Sequence, residues 1–188
     1  MSAATNSINT PEPTKDFFAY VPVAASTIIY VGTLVALSGG NAVPASDSAG
    51  LRVLGRCEGQ SEVYNDNLAG TDANNSTGNA GDVKINVKRG AFAFNNSTAD
   101  AVDTTCLGRI VYVEDDNTVN KTGGTNKVKA GLFLGFHLGD ATLPIVDTRF
   151  AGLLVTPATV ATANASDLTS AEALANALKT AFNGLSGI

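Results

Sequence analysis

The sequence has no tryptophan, a single histidine, two cysteines and only 15% charged residues, and each scarcity removes a class of function. His137 has no second imidazole with which to share a metal, so it is expected to be a hydrogen-bonded structural residue rather than a ligand or general base. Cys57 and Cys106 stand apart, without a CxxC pair or partner histidines, which argues against a zinc site. They are expected as buried apolar side chains rather than as a disulfide, because nothing marks the chain as secreted. The opening "MSAATNSINTPEPTKD" is polar, carries two prolines and lacks the basic and apolar regions of a signal peptide, so residues 1–16 read as a flexible arm. No GxSxG, HExxH, P-loop or GxGxxG pattern occurs. The reading is of a protein with no catalytic residues, no metal ligands and no cofactor.

Positive charge is also scarce and dispersed. The net charge is −5, and no Lys/Arg block or interleaved aromatic motif supplies the concentrated positive charge that phosphate binding needs, so nucleic acid is not an expected partner. The densest basic group, Lys84, Lys88 and Arg89, reads as the solvated face of a strand. What the chain does have is Gly, Ala, Ser, Thr and Asn, a mix that suits short strands joined by many turns. Its 188 residues can bury one core, so a single domain with appendages is expected.

The uncharged run "FFAYVPVAASTIIYVGTLVAL", Phe17 to Leu37, is long enough to cross a bilayer as a helix. Pro22 and Gly32 interrupt it, β-branched and aromatic residues dominate its second half, and no basic cluster flanks it. It reads instead as an aromatic lead-in followed by strands, with "SGGN" at Ser38–Asn41 as a turn and no membrane as partner. "LRVLGRCEG" follows as a strand carrying Leu51, Val53 and Cys57 on one side and ending at Gly59. "YNDNLAGTDANNSTGNAGD", Tyr64 to Asp82, is turn-forming throughout and reads as a long exposed loop.

"DVKINVKRGAFAF" has the two-residue period of a half-buried strand, with Val83, Ile85 and Val87 inward and Lys84, Asn86 and Lys88 outward. Past Arg89-Gly90 the inward set becomes Phe92 and Phe94, a parity flip that one inserted residue at a glycine bulge produces while bending the strand. "RIVYV" is apolar on both faces, Val111 and Val113 on one and Ile110 and Tyr112 on the other, as in a central strand. "AGLFLGFHLGDA" sets Leu132, Leu134, Phe136 and Leu138 on one face against Gly131, Phe133, Gly135, His137 and Gly139 on the other, the glycines leaving room for close packing. Between these strands lie Glu114, Asp115 and Asp116. Acid/base carboxylates need a concave apolar setting and partners from elsewhere in the chain. These three sit where an apolar strand meets "DDNTVNKTGG", and they read as a hairpin end beside a short strand around Val119.

The order of these segments resembles the capsid cement, or head decoration, proteins of tailed bacteriophages. The likeness rests on "GTLVAL" at Gly32–Leu37, "AGLRVLGR" at Ala49–Arg56, "GDVKINVKRGAFAF" at Gly81–Phe94 and "GRIVYVEDDNTVNKT" at Gly108–Thr122, and spans about residues 18 to 147. The resemblance implies a compact all-β subunit; together with the bend at Arg89-Gly90 and the polar opening, the expected fold is a small curled β-barrel or β-sandwich over residues 17–155 with an extended N-terminal arm and a short C-terminal helix. It implies a virion protein made in the host bacterial cytoplasm that binds the outer surface of the capsid and bridges neighbouring major capsid protein subunits. It further implies a homo-oligomer, with a trimer the favoured arrangement and a dimer the other, and no catalysis. The Asn/Gly-rich stretch at 65–82 and the tail beyond Asp147 depart from the family pattern.

On this reading Phe17, Phe18 and Tyr20 are either capsid-contact anchors or a cover for the open end of the barrel. In the tail, residues 156–188, a linker precedes a short helix with Thr169 as N-cap, Glu172 as its capping-box partner and Gly184 as its stop. Leu174, Leu178 and Phe182 form its apolar stripe, which packs on the β-core or serves as a subunit interface. The competing reading of the whole is a head-fibre or carbohydrate- and receptor-binding module whose polar loops supply hydrogen bonds.

Overall fold

A computed structural model describes residues 16–61 and 70–151, together with Asn176 and Lys179, whose backbone is helical. The described residues between Asp16 and Ala151 are built of strands, turns and short 3-10 helices, mostly β as expected. The residues expected to carry the C-terminal stripe, Leu174, Leu178 and Phe182, lie outside the described set, as does the arm at 1–15.

Among the described residues there are three sheets, antiparallel or mixed. The first has the order β1 (Phe17–Pro22), β7 (Lys84–Lys88), β5 (Arg52–Gln60), β3 (Leu34–Ser38), β4 (Asn41–Pro44). The second has the order β8 (Ala91–Ala93), β13 (Pro144–Asp147), β12 (Lys129–Phe136), β10 (Ile110–Val113), β11 (Thr118–Asn120), β9 (Asn95–Asn96), with β11 and β9 parallel. A two-stranded ribbon pairs β2 (Thr27–Ile29) with β6 (Ala73–Asn75).

These layers enclose two cores. Leu34, Ala36 and Val53 of the first sheet meet Val111, Val113, Phe133 and Val146 of the second. On the first sheet's other face, Val35, Leu54, Cys57, Ile85 and Val87 pack with Ile29 and Ala73 of the ribbon. Strand β3 is therefore buried on both sides, which is why "LVAL" at residues 34–37 is uninterruptedly apolar without being a membrane helix. Among the described residues no helix is long and apolar enough to cross a membrane. The expected turn after β3 is present: Ser38 pairs with Asn41 around Gly39-Gly40, both at positive φ (54° and 87°), the backbone a tight hairpin requires and glycine supplies at least cost.

The barrel expectation is corrected. Strands β1 and β4 are opposite edges of the first sheet, and the chain just past β1 touches β4 through one isolated bridge, Val23 with Ala42, supported by the Ala24 N–H donating to the Ala42 carbonyl at 3.0 Å. One bridge curls the sheet without closing it into a ladder. The long-loop expectation is corrected too, because residues 73–75 form a strand that lids the second core. Polarity does not prevent this: the Asn75 side-chain amide, buried at 2% exposure, donates to the carbonyls of Val23, Ala24 and Asn79.

Alternation is borne out in β7, where Ile85 and Val87 are fully buried and each contributes about 2 kcal/mol of burial. The flip at Arg89-Gly90 is larger than a bulge: β7 belongs to the first sheet and β8 to the second, so the chain switches sheets there. Strand β10 is central, between β12 and β11, as expected.

Two face assignments fail at bulges. In β5 the register slips between Val53 and Gly55, so Val53 enters one core while Leu54 and Cys57 enter the other. In β12 a slip between Phe133 and Gly135 turns both Phe133 and Phe136 inward, ring centroids 5.0 Å apart, and leaves Leu134 and Leu138 exposed. The two cysteines are free and buried, one in each core, and burial pushes the Cys57 thiol up to about 11. His137 is exposed in the turn after β12, its N–H donating to the Leu143 carbonyl.

Candidate functional site

The aromatic lead-in forms an edge strand. In β1 the register shifts between Phe18 and Val21, Tyr20 takes φ +55°, and its N–H donates to Asn86 Oδ1 at 3.3 Å. The bulge presents Phe18 and Tyr20 outward, 38% and 39% exposed, while Phe17 is half-buried. Each phenylalanine lies beside a cation at or just past the end of the neighbouring strand β7: Lys88 Nζ is 5.7 Å from the Phe17 ring centroid and the Arg89 guanidinium 5.3 Å from that of Phe18. The structure thus brings the three predicted residues together on one exposed edge.

Phe18 also forms the lip of a cleft of about 270 Å³, with Arg52, Val53 and Leu54 from β5, Arg89, and Thr148 and Arg149 from the turn after β13. Its wall is clamped. The Thr148 N–H and hydroxyl both donate to the Gly90 carbonyl, at 2.8 and 3.1 Å, and the Gly90 N–H donates back to Thr148 Oγ1 at 3.1 Å. The Arg89 N–H donates to the Asp16 carbonyl at 2.7 Å.

The three guanidiniums are engaged to different degrees. Arg149 forks onto buried Asp147, Nε at 2.9 Å from Oδ1 and Nη2 at 2.7 Å from Oδ2, and Asp147 Oδ1 also accepts the Arg149 N–H. Hydrogen bonding from Arg149 holds the Asp147 carboxyl below the usual range and raises Arg149 in turn. Arg89 reaches Asp16 only at 3.9 Å. Arg52 is exposed and has no ion-pair partner among the described residues. A second cleft, of about 210 Å³, shares Arg52 and Val53 and adds Lys127 and Lys129.

Sequence reasoning missed Arg52 and Arg149 and left Arg89 on a solvated strand face. They come from three separated turns and strand ends, so no run of charge announced them. A pH experiment follows from the Asp147 pair. Its stabilisation is complete above about pH 4, the range of an unfolded aspartate, and is lost as pH falls through the lowered folded value. Arg149→Ala is expected to unfold earlier than the wild type in neutral urea titrations and to converge with it in strong acid.

The acidic cluster is the expected hairpin end. Val113 pairs with Val119, Asp115 Oδ1 accepts the Asn117 N–H at 2.8 Å, and the Asp116 carbonyl accepts the Leu34 N–H at 2.6 Å, tying the loop to β3. Burial, then the charge of Asp115, raises the Asp116 carboxyl. Ionised Asp116 therefore costs stability at neutral pH, a cost that disappears below about pH 4. Asp115→Asn keeps the turn acceptor and Asp116→Asn removes the repulsion, so the double variant should unfold within about 0.5 kcal/mol of the wild type or slightly above it. Among the described residues no group of three or more His, Cys, Asp and Glu side chains gathers where a metal ion would sit.

Comparison with protein-family models, with curated proteins and with solved structures returns no match to this chain.

Proposed function

We propose that this chain is a structural virion protein of the phage head-decoration kind, which binds the outer surface of the capsid and stabilises it by bridging neighbouring major capsid protein subunits. The observation that carries the reading is the exposed aromatic edge of β1, Phe18 and Tyr20, set beside a clamped arginine cleft. Aromatic and arginine side chains contribute most per residue at protein interfaces, and here they are held by paired backbone rather than by a loose loop. The segments that suggest the likeness, Gly32–Leu37, Ala49–Arg56, Gly81–Phe94 and Gly108–Thr122, all fall among the described residues. A bridging ligand stabilises the joined shell by its binding free energy to that state alone, so adhesion suffices and no bond need be made or broken.

The test is to mix purified protein with expanded heads and with unexpanded precursors and to sediment both. Selective pelleting with expanded heads is expected. Pelleting with neither would end the proposal.

A further inference from the structure

We propose that the cleft of Arg52, Arg89 and Arg149 is a carboxylate seat, taking an aspartate or glutamate side chain from an acidic segment of the protein that this chain clamps. The inference rests on the adhesive role proposed above and names the chemistry of one contact within it.

The donors are in place. Arg52 has no ion-pair partner among the described residues, Arg89 meets Asp16 only at 3.9 Å, and Arg149 commits Nε and Nη2 to Asp147, leaving Nη1 outside that fork. A guanidinium presents its N–H groups in a plane that matches a carboxylate, so an incoming Asp or Glu can accept from Arg52 while a second oxygen faces a neighbouring arginine. The seat is also built beforehand, because the Gly90–Thr148 clamp fixes one wall and the β5 ladder the other. Binding then orders little that is not already ordered.

Charge decides among the anions. Within the cleft itself three arginines face two resident carboxylates, Asp16 and Asp147, a local excess of one positive charge on a chain whose net charge is −5; Lys127 and Lys129 line the neighbouring cleft that shares Arg52. One surplus charge matches one or two side-chain carboxylates. It does not match a polynucleotide, whose binding depends on neutralising several phosphates at once. The remaining walls, Phe18, Val53 and Leu54, are apolar and suit the aliphatic stem and neighbours of a peptide residue.

The probe is a fluorescein-labelled peptide carrying a run of aspartates, followed by fluorescence anisotropy, with the same peptide in asparagine as its control. Saturable binding that weakens as salt rises, absent for the asparagine peptide and reduced by about tenfold or more in Arg52→Glu, is the expected result. Arg52 is exposed, so the variant should keep the wild-type unfolding curve, and Arg52→Gln provides a milder second variant. Arg149 is left intact because its removal would strand buried Asp147.

The seat is overturned if the aspartate peptide does not bind, or if Arg52→Glu binds it as well as the wild type does. It is also overturned if inorganic phosphate or a short oligonucleotide displaces the peptide at lower concentration than free aspartate peptide does. Self-association that Arg52→Glu abolishes, without any peptide binding, would assign the cleft to a second copy of this chain instead. Sedimentation with expanded heads separates the two proposals. Wild-type protein that pellets but ignores the peptide removes only the seat, whereas protein that binds the peptide but never pellets removes only the capsid role.

Discussion

Gly55→Ala is expected to lower the unfolding midpoint by about 10 °C, an effect of roughly 3 kcal/mol, although it adds one methyl group. Gly55 sits in β5 at φ +157°, and a Cβ built there would be driven into the carbonyl oxygen of Lys88 on β7, with Val87 Cγ1 only 3.2 Å away. The obstacle is backbone, which cannot swing aside as a side-chain tip can. Strand β7 would have to separate from β5 around Cys57–Val87 and Arg56–Lys88, weakening the centre of the first sheet. Gly40→Ala is the control: φ there is +87°, nothing lies within 4 Å of the added atom, and only the backbone cost of about 1 kcal/mol should appear. Thermal unfolding followed by circular dichroism distinguishes them, and equal losses would show that Gly55 is not needed for close approach.

Truncation in β12 should give the other large effect. Phe133→Ala is expected to cost about 4 kcal/mol, because Phe133 is 1% exposed, packs edge-on against Phe136, and would leave a cavity in the core between the sheets. Leu134→Ala, one residue on, should cost well under about 1 kcal/mol, because Leu134 is 46% exposed. Urea titrations of the two variants report the register of the strand directly. The reverse order would place the leucine face of β12 inside.

That strand shows how far the sequence could be read. Period-two alternation identified β7 and β10, glycine pairs and Asx chemistry identified the Gly39-Gly40 turn and the Asp115 hairpin, and interruptions by Pro22 and Gly32 argued correctly for strands. These are local signals, and local rules carry them. Alternation fails where one extra residue enters a strand, since a single slip sends every later side chain to the opposite face. The slips at Leu54 and at Leu134 have no composition of their own, so Cys57 and Phe136 were assigned to the wrong sides. The partner sheet was equally invisible: nothing in "KRGAFAF" says that Lys88 and Phe92 will lie in different layers. The site divides along the same line. Phe17, Phe18 and Tyr20 fall within four residues and stood out, whereas Arg52, Arg89 and Arg149 converge only through the sheet switch and the Thr148 clamp.

The crossing at Arg89-Gly90 has a mechanical consequence. Tension applied along β1 loads its pairings to β7 at Phe17, Phe18, Val21 and Pro22 in shear, side by side, instead of unzipping them one after another. Because β7 runs on through Gly90 into β8, the load passes along covalent chain into the second layer, and the hydrogen bonds between Gly90 and Thr148 share it with the end of β13. A tug on the outermost strand is resisted by both layers at once.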